Sequence, residues 1–241
     1  MWMICKKEWR QFFSSLTGYI AIVVFLAVNG LALFVFQNNI FDFGYATLDL
    51  FFQLAPWILL LLIPAITMRS FSDEFKTGTY EILLTLPVKR FDVVAGKYFG
   101  SLLIAVIALL PTIVYVVCIQ SLSGEGLDAG ATIGSYIGLV FLAAVFTAIG
   151  IWSSALTDNP VVALILSIII CALLYYGFTA VGNLPVLRGG ADYYIEMIGI
   201  DFHYRSISRG LIDIRDILYF FSIICLFLFF TNSGLHGPKN K

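Results

Sequence analysis

The chain has 241 residues, of which 60% are hydrophobic and 12% charged, and its mean hydropathy is +0.95. A soluble domain is about 45–50% apolar and about a quarter charged, so this composition excludes one and points to an integral membrane protein. The net charge of −1 excludes the clustered basic face of a nucleic-acid binder.

The N-terminal segment Met1–Ser15 is charged and aromatic, without a central apolar block or a small-residue cleavage site, so no cleavable signal is expected there. Over residues 3–16, Cys5, Trp9, Phe12, Phe13 and Leu16 recur at helical spacing, with Lys6, Arg10 and Ser14 opposite. That pattern predicts a helix lying in the inner membrane interface and bracing the first span, anchored by Trp9, Phe12, Phe13, Lys6 and Arg10. Six apolar runs of spanning length follow, roughly 19–37, 51–68, 100–119, 133–152, 161–181 and 216–231. Their interiors hold no Asp, Glu, Lys, Arg or His, and Pro64 and Pro111 mark expected kinks. The expected fold is therefore an all-α, six-span membrane domain covering residues 1–241. Cys118, Cys171 and Cys225 fall in apolar runs and Cys5 stands alone near the start, so the cysteines read as buried and inert.

Between the second and third runs lies FKTGTYEILLTLPVKR, residues 75–90. Wound as a helix, it carries Thr77, Glu81 and Thr85 on one polar stripe and Tyr80, Ile82, Leu83, Leu84 and Leu86 around the rest. Gly78 and Thr79 suit its start and Pro87 its end. Two readings stand side by side: a helix dissolved in lipid headgroups, or an apolar knob rimmed by charge that a partner protein covers. The segment 182–215 is long for a loop and too apolar for a solvated one, yet too short to span. Short re-entrant helices in the outer leaflet fit it, with His203 a polar interfacial residue and no partners for a metal.

Lysine and arginine set the orientation. Lys6, Lys7, Arg10, Arg69, Lys76, Lys89, Arg90, Lys97, Lys239 and Lys241 share one side, and only Arg188, Arg205, Arg209 and Arg215 lie on the other. Both termini are thus expected in the cytoplasm. With no charged residue inside the spans, an ion-driven transporter is disfavoured, and no G-x-x-x-x-G-K-[ST] run exists for ATP hydrolysis. Intramembrane proteolysis would need a serine–histidine pair or two intramembrane aspartates, which the spans lack. Energy would have to come from another chain.

The stretch Arg69-Ser70-Phe71-Ser72-Asp73-Glu74, then Thr77-Gly78-Thr79-Tyr80-Glu81-Ile82-Leu83-Leu84-Thr85-Leu86-Pro87-Val88, then Val94-Ala95-Gly96-Lys97 resembles the signature of the ABC-2 type permeases, the membrane subunits of a class of ABC transporters. Lys7–Ser15 is similar to that family's N-terminal helix. Ser206–Asp213 resembles a stretch found in its gliding-motility-associated subgroup in Bacteroidetes. The resemblance implies that residues about 75–86 form a coupling helix docking on a separate ATP-binding subunit. Glu74, Gly78, Thr79, Glu81, Ile82, Leu83, Leu86 and Pro87 would be its coupling residues, with an intrasubunit ion pair of Glu81 to Lys89 or Arg90 as an equal alternative. It further implies a second permease subunit, identical or related, that pairs through the first and fifth spans. ATP and Mg would be on the partner, with no cofactor and no catalysis on this chain, in a bacterial inner membrane. The expected role is ATP-driven export. The alternatives are a membrane anchor doing mechanical or assembly work, and a polytopic membrane enzyme.

Overall fold

Caps and prolines punctuate a chain of helices. A computed structural model describes residues 1–35, 48–85, 89–122, 127–185, 191–211 and 213–235, with side chains at all but 17, 83–85 and 191, and holds no strand among them. The first helix, α1 (Trp2–Phe13), stops at Ser14, and the Ser15 side chain accepts from Gly18 N to cap α2 (Leu16–Phe34). Next come α3 (Asp49–Thr67), α4 (Ser72–Thr77), α5 (Thr79–Thr85) and α6 (Arg90–Leu109). Pro111 tightens Leu110–Thr112 into a 3₁₀ turn before α7 (Ile113–Leu122). Asp128 caps α8 (Ala129–Leu156) through Gly130 N and Ala131 N. Asn159, followed by Pro160 at the first helical position, caps α9 (Pro160–Ala172). A π-helical turn, Leu173–Gly177, leads into α10 (Phe178–Gly182). Beyond α10 come α11 (Ala191–Glu196) and α12 (Ile200–Ser208), and Asp213 caps α13 (Ile214–Gly234).

Five helical runs are long and apolar enough to cross a membrane: 49–77, 90–122, 129–156, 160–182 and 214–234. Taken together as one span, the bent pair Trp2–Phe13 and Gly18–Phe34, inclined by 72°, would be a sixth. These runs are longer than the apolar windows read from sequence, because helical hydrogen bonding continues through the polar residues at which a hydropathy window stops. The first window, 19–37, ends among residues outside the described ones. The predicted N-terminal helix of 3–16 is also corrected: the chain turns at Ser14–Ser15, so Leu16 opens the next helix and is 77% exposed. Of the cysteines, Cys5 and Cys171 are buried, but Cys118 is half-buried and Cys225 exposed on the outside of α13.

Helix α8 is the central post. Its span is 78% buried, against 22% for both the 160–182 and 214–234 runs, and α3, α6, α9, α12 and α13 all pack on it. The closest approach is at Gly150, where a Cβ would stand 2.1 Å from Thr67 Oγ1 on α3. Thr67 is fully buried and donates to Ile63 O at 2.9 Å, so it has little room to yield. Gly150→Ala is therefore expected to lower stability by about 1–3 kcal/mol through overpacking, measured as thermal unfolding in detergent. Adding Thr67→Ala should recover part of the loss.

Candidate coupling site

The turn after α3 is held from the side by the end of α8. Ser154 Oγ accepts from Phe71 N (2.9 Å) and Ser72 N (3.1 Å) and donates to Met68 O (3.0 Å). It thereby satisfies two of the unpaired N–H groups at the start of α4. Below this turn Phe71, Val93, Val94, Ile151 and Leu235 form a small buried cluster, with Ile4, Phe75 and Tyr80 packed on it.

Into this cluster α6 sends Lys97, which is fully buried. Its Nζ lies 2.9 Å from Glu8 Oε1 on α1 and 2.9 Å from Glu74 Oε1 on α4. It also donates to Ser70 O and sits 4.8 Å from the centre of the Phe71 ring. Lys7 closes the group, 2.7 Å from Glu74 Oε1. Two cations and two carboxylates balance, as burial of charge requires. Helix α1 reaches this position because Gly96 lets it settle on α6: a Cβ there would meet Ile4 Cβ and Met1 O at 2.9 Å. Four segments (α1, the turn after α3, α4 and α6) thus converge on one ammonium group.

The hairpin of α4 and α5 projects from this root. It breaks at Gly78, which holds φ +71°, the left-handed conformation that favours glycine. The break falls at the predicted start, Gly78 and Thr79, and leaves Thr77, expected on the stripe with Glu81, at the end of α4, where it donates to Asp73 O at 2.7 Å. Thr79 starts α5, as its sequence suggests. Tyr80 turns inward, its ring 4.9 Å from Phe75; burial raises its phenol above the ordinary value against a smaller opposing effect of Arg90. Glu81 is exposed and Ile82 is 65% exposed. Among the described residues no ion pair joins Glu81 to Lys89 or Arg90; it is Glu74 that is paired within the chain, with Lys7 and Lys97. The side chain of Leu83, and Leu86 and Pro87 altogether, lie outside what the structure describes.

The N-terminal anchor divides between two roles. Cys5 faces α6 with Ile4 and Glu8. Phe12 contacts Gly18 at the start of α2, and Phe13 packs between Trp9 and Tyr19 at 6.1 and 5.8 Å. Trp9 is 39% exposed and Lys6 and Arg10 are exposed. Sequence reasoning missed Glu8 because it counted apolar residues on that face. It missed Lys97 because it began the third span at residue 100, leaving the lysine in a loop.

At the far ends of α3 and α8 a cavity of about 730 Å³ opens between these helices, the π-helical turn and α12. Phe52, Trp57, Tyr176 and Tyr204 give it an aromatic wall, and Arg205 and Arg209 are among its polar groups. Asp201, also in the lining, pairs with Arg205 and accepts from Thr179 Oγ1 at 3.2 Å. His203, expected as an interfacial residue, is instead 4% exposed and hydrogen-bonded to Asp216. Among the described residues no cluster of three or more His, Cys, Asp or Glu is arranged to hold a metal.

No curated protein matches the sequence. The family described as "ABC-2 family transporter protein" matches residues 39–224, well over half of the chain and from before α3 into α13. With helices of spanning length throughout that region, the match establishes that the chain belongs to the ABC-2 family and is a multi-pass membrane component of an ABC transporter.

Proposed function

We propose that the chain is the permease subunit of an ATP-driven exporter in a bacterial inner membrane, and that the α4–α5 hairpin is where a separate ATP-binding subunit moves it. Family membership implies association with such a subunit. The observation that carries the reading is the hairpin itself. Its tip presents Glu81 and Ile82 outward, while Glu74 at its root is ion-paired to α6 and α1 through Lys97 and Lys7. A push on the tip therefore reaches two other helices through a buried contact. In this reading Gly78 and Thr79 set the tip's angle, Ile82, Leu83 and Leu86 fill a groove on the ATPase, Glu81 makes a polar contact, and Pro87 ends the segment. Both termini lie in the cytoplasm, ATP and Mg bind the partner, and this chain catalyses nothing.

The aromatic cavity is then the outer end of the path. A second permease subunit, identical or related, completes the transporter across the first and fifth spans. The likeness of Ser206–Asp213 to gliding-associated permeases is what supports reading the system as a member of that subgroup. Transport follows when ATP binds one arrangement of the complex better than the other.

Co-purification in mild detergent tests this reading. A P-loop ATPase and a second membrane subunit are expected with wild type, and the ATPase is expected to be depleted with Glu81→Lys. No ATPase with wild type, or an undiminished one with Glu81→Lys beside Leu83→Asp, overturns it.

A further inference from the structure

We propose that His203 and Asp216 form a proton-binding site that fastens α12 to the first turn of α13. Both are buried, at 4% and 5% exposure. His203 Nδ1 lies 2.6 Å from Asp216 Oδ1, and Nε2 lies 2.9 Å from the carbonyl oxygen of Met197, in the turn after α11. A carbonyl and a carboxylate only accept hydrogen bonds, and a neutral imidazole carries one N–H. Two bonds at these distances need two protons. The second sits either on the ring, giving an imidazolium beside a carboxylate, or on Asp216, whose O–H then donates to a bare Nδ1. Both arrangements hold one proton more than a neutral histidine beside a carboxylate, and both make the pair neutral overall.

The surroundings favour keeping that proton. Without it, the Nε2 lone pair would face the Met197 carbonyl away from water, a cost comparable to a lost buried hydrogen bond. Among the described residues Asp216 Oδ2 has no hydrogen-bond partner, so an unbalanced carboxylate there would be poorly compensated. The ring stacks on Tyr219 of α13 at 3.8 Å, and Tyr219 OH donates to Ile198 O. On α12 itself the neighbouring charges, Asp201 and Arg205, pair with each other. From α8, Gly134, Ser135 and Gly138 are among the residues that meet α12 or the turn after it. Asp216 is thus the one ionisable group paired with His203 among the described residues.

The position gives the proton a consequence. The same helix lines the cavity with Asp201, Tyr204 and Arg205, so the proton holds a wall of the cavity to the last span.

The chain has two histidines, so ¹⁵N-histidine labelling in nanodiscs, with His203→Gln to assign the signal and ¹³C-aspartate labelling for the carboxyl, reads where the protons sit. Near neutral pH we expect a proton on Nε2, accompanied by one on Nδ1 or on the Asp216 carboxyl. A bare Nε2 with a protonated Nδ1 overturns the proposal. Asp216→Asn supplies a second reading, because its amide can donate to Nδ1 while Nε2–H still reaches Met197, preserving both bonds with no extra proton. In Asp216→Asn the ring is therefore expected to keep its proton on Nε2 with Nδ1 bare, and a bare Nε2 in that variant overturns the demand that the Met197 carbonyl makes on the ring.

Discussion

Lys97→Met should destabilise the protein by about 3–5 kcal/mol, the cost of breaking a buried ion pair from one side. The methionine fills nearly the same volume, so the loss is electrostatic. Glu8 and Glu74 would remain at the centre of the junction between α1, α4 and α6, their carboxylates almost covered and no longer facing the ammonium 2.9 Å away. Lys7 cannot compensate, since it reaches Glu74 but is itself half exposed. Thermal unfolding in detergent reads the effect. Neutralising the stranded groups separates charge from packing: Lys97→Met with Glu8→Gln and Glu74→Gln should be more stable than Lys97→Met alone. A single variant as stable as wild type, or a triple variant no better than the single, would show that the cluster does not hold the junction together.

What the sequence disclosed followed from what each signal can report. The last five hydropathy windows each fall inside a helical run of spanning length, because burial in lipid or protein demands long apolar runs whichever neighbour covers them. They failed at the edges for the same reason: α6 runs ten residues further toward its start than the apolar window of 100–119, and those residues carry Lys97. A lysine there reads as a loop charge until its partners are known, and Glu8 and Glu74 lie 89 and 23 positions away in the chain. Gly78 was read correctly as a boundary, and its φ of +71° separates α4 from α5 there. The π-helical turn at 173–177, which sets Tyr175 inside and leaves Tyr176 43% exposed at the cavity, has no composition signal at all. His203 was misplaced because a lone histidine in a polar stretch says nothing about the Asp216 that waits thirteen residues later across a turn.

Ile82→Asp should weaken association with the ATP-binding subunit by about 30-fold, the equivalent of about 2 kcal/mol for a central interface residue. Stability should stay within about 0.5 kcal/mol of wild type, because Ile82 is 65% exposed in the isolated chain and aspartate meets water there. Lys97→Met is expected to behave in the opposite way. Below its lowered melting point it should still capture the ATPase, since the tip of the hairpin is intact, but transport-linked hydrolysis should fall as the root no longer grips α1 and α6. The pair of variants therefore separates docking from transmission, measured by affinity for the purified ATPase and by the melting temperature of the permease. If Ile82→Asp binds with wild-type affinity, the ATPase docks elsewhere and the charged junction is a staple of the fold. If both variants lose binding and stability together, tip and root form one cooperative unit, and the motion enters through the hairpin as a whole.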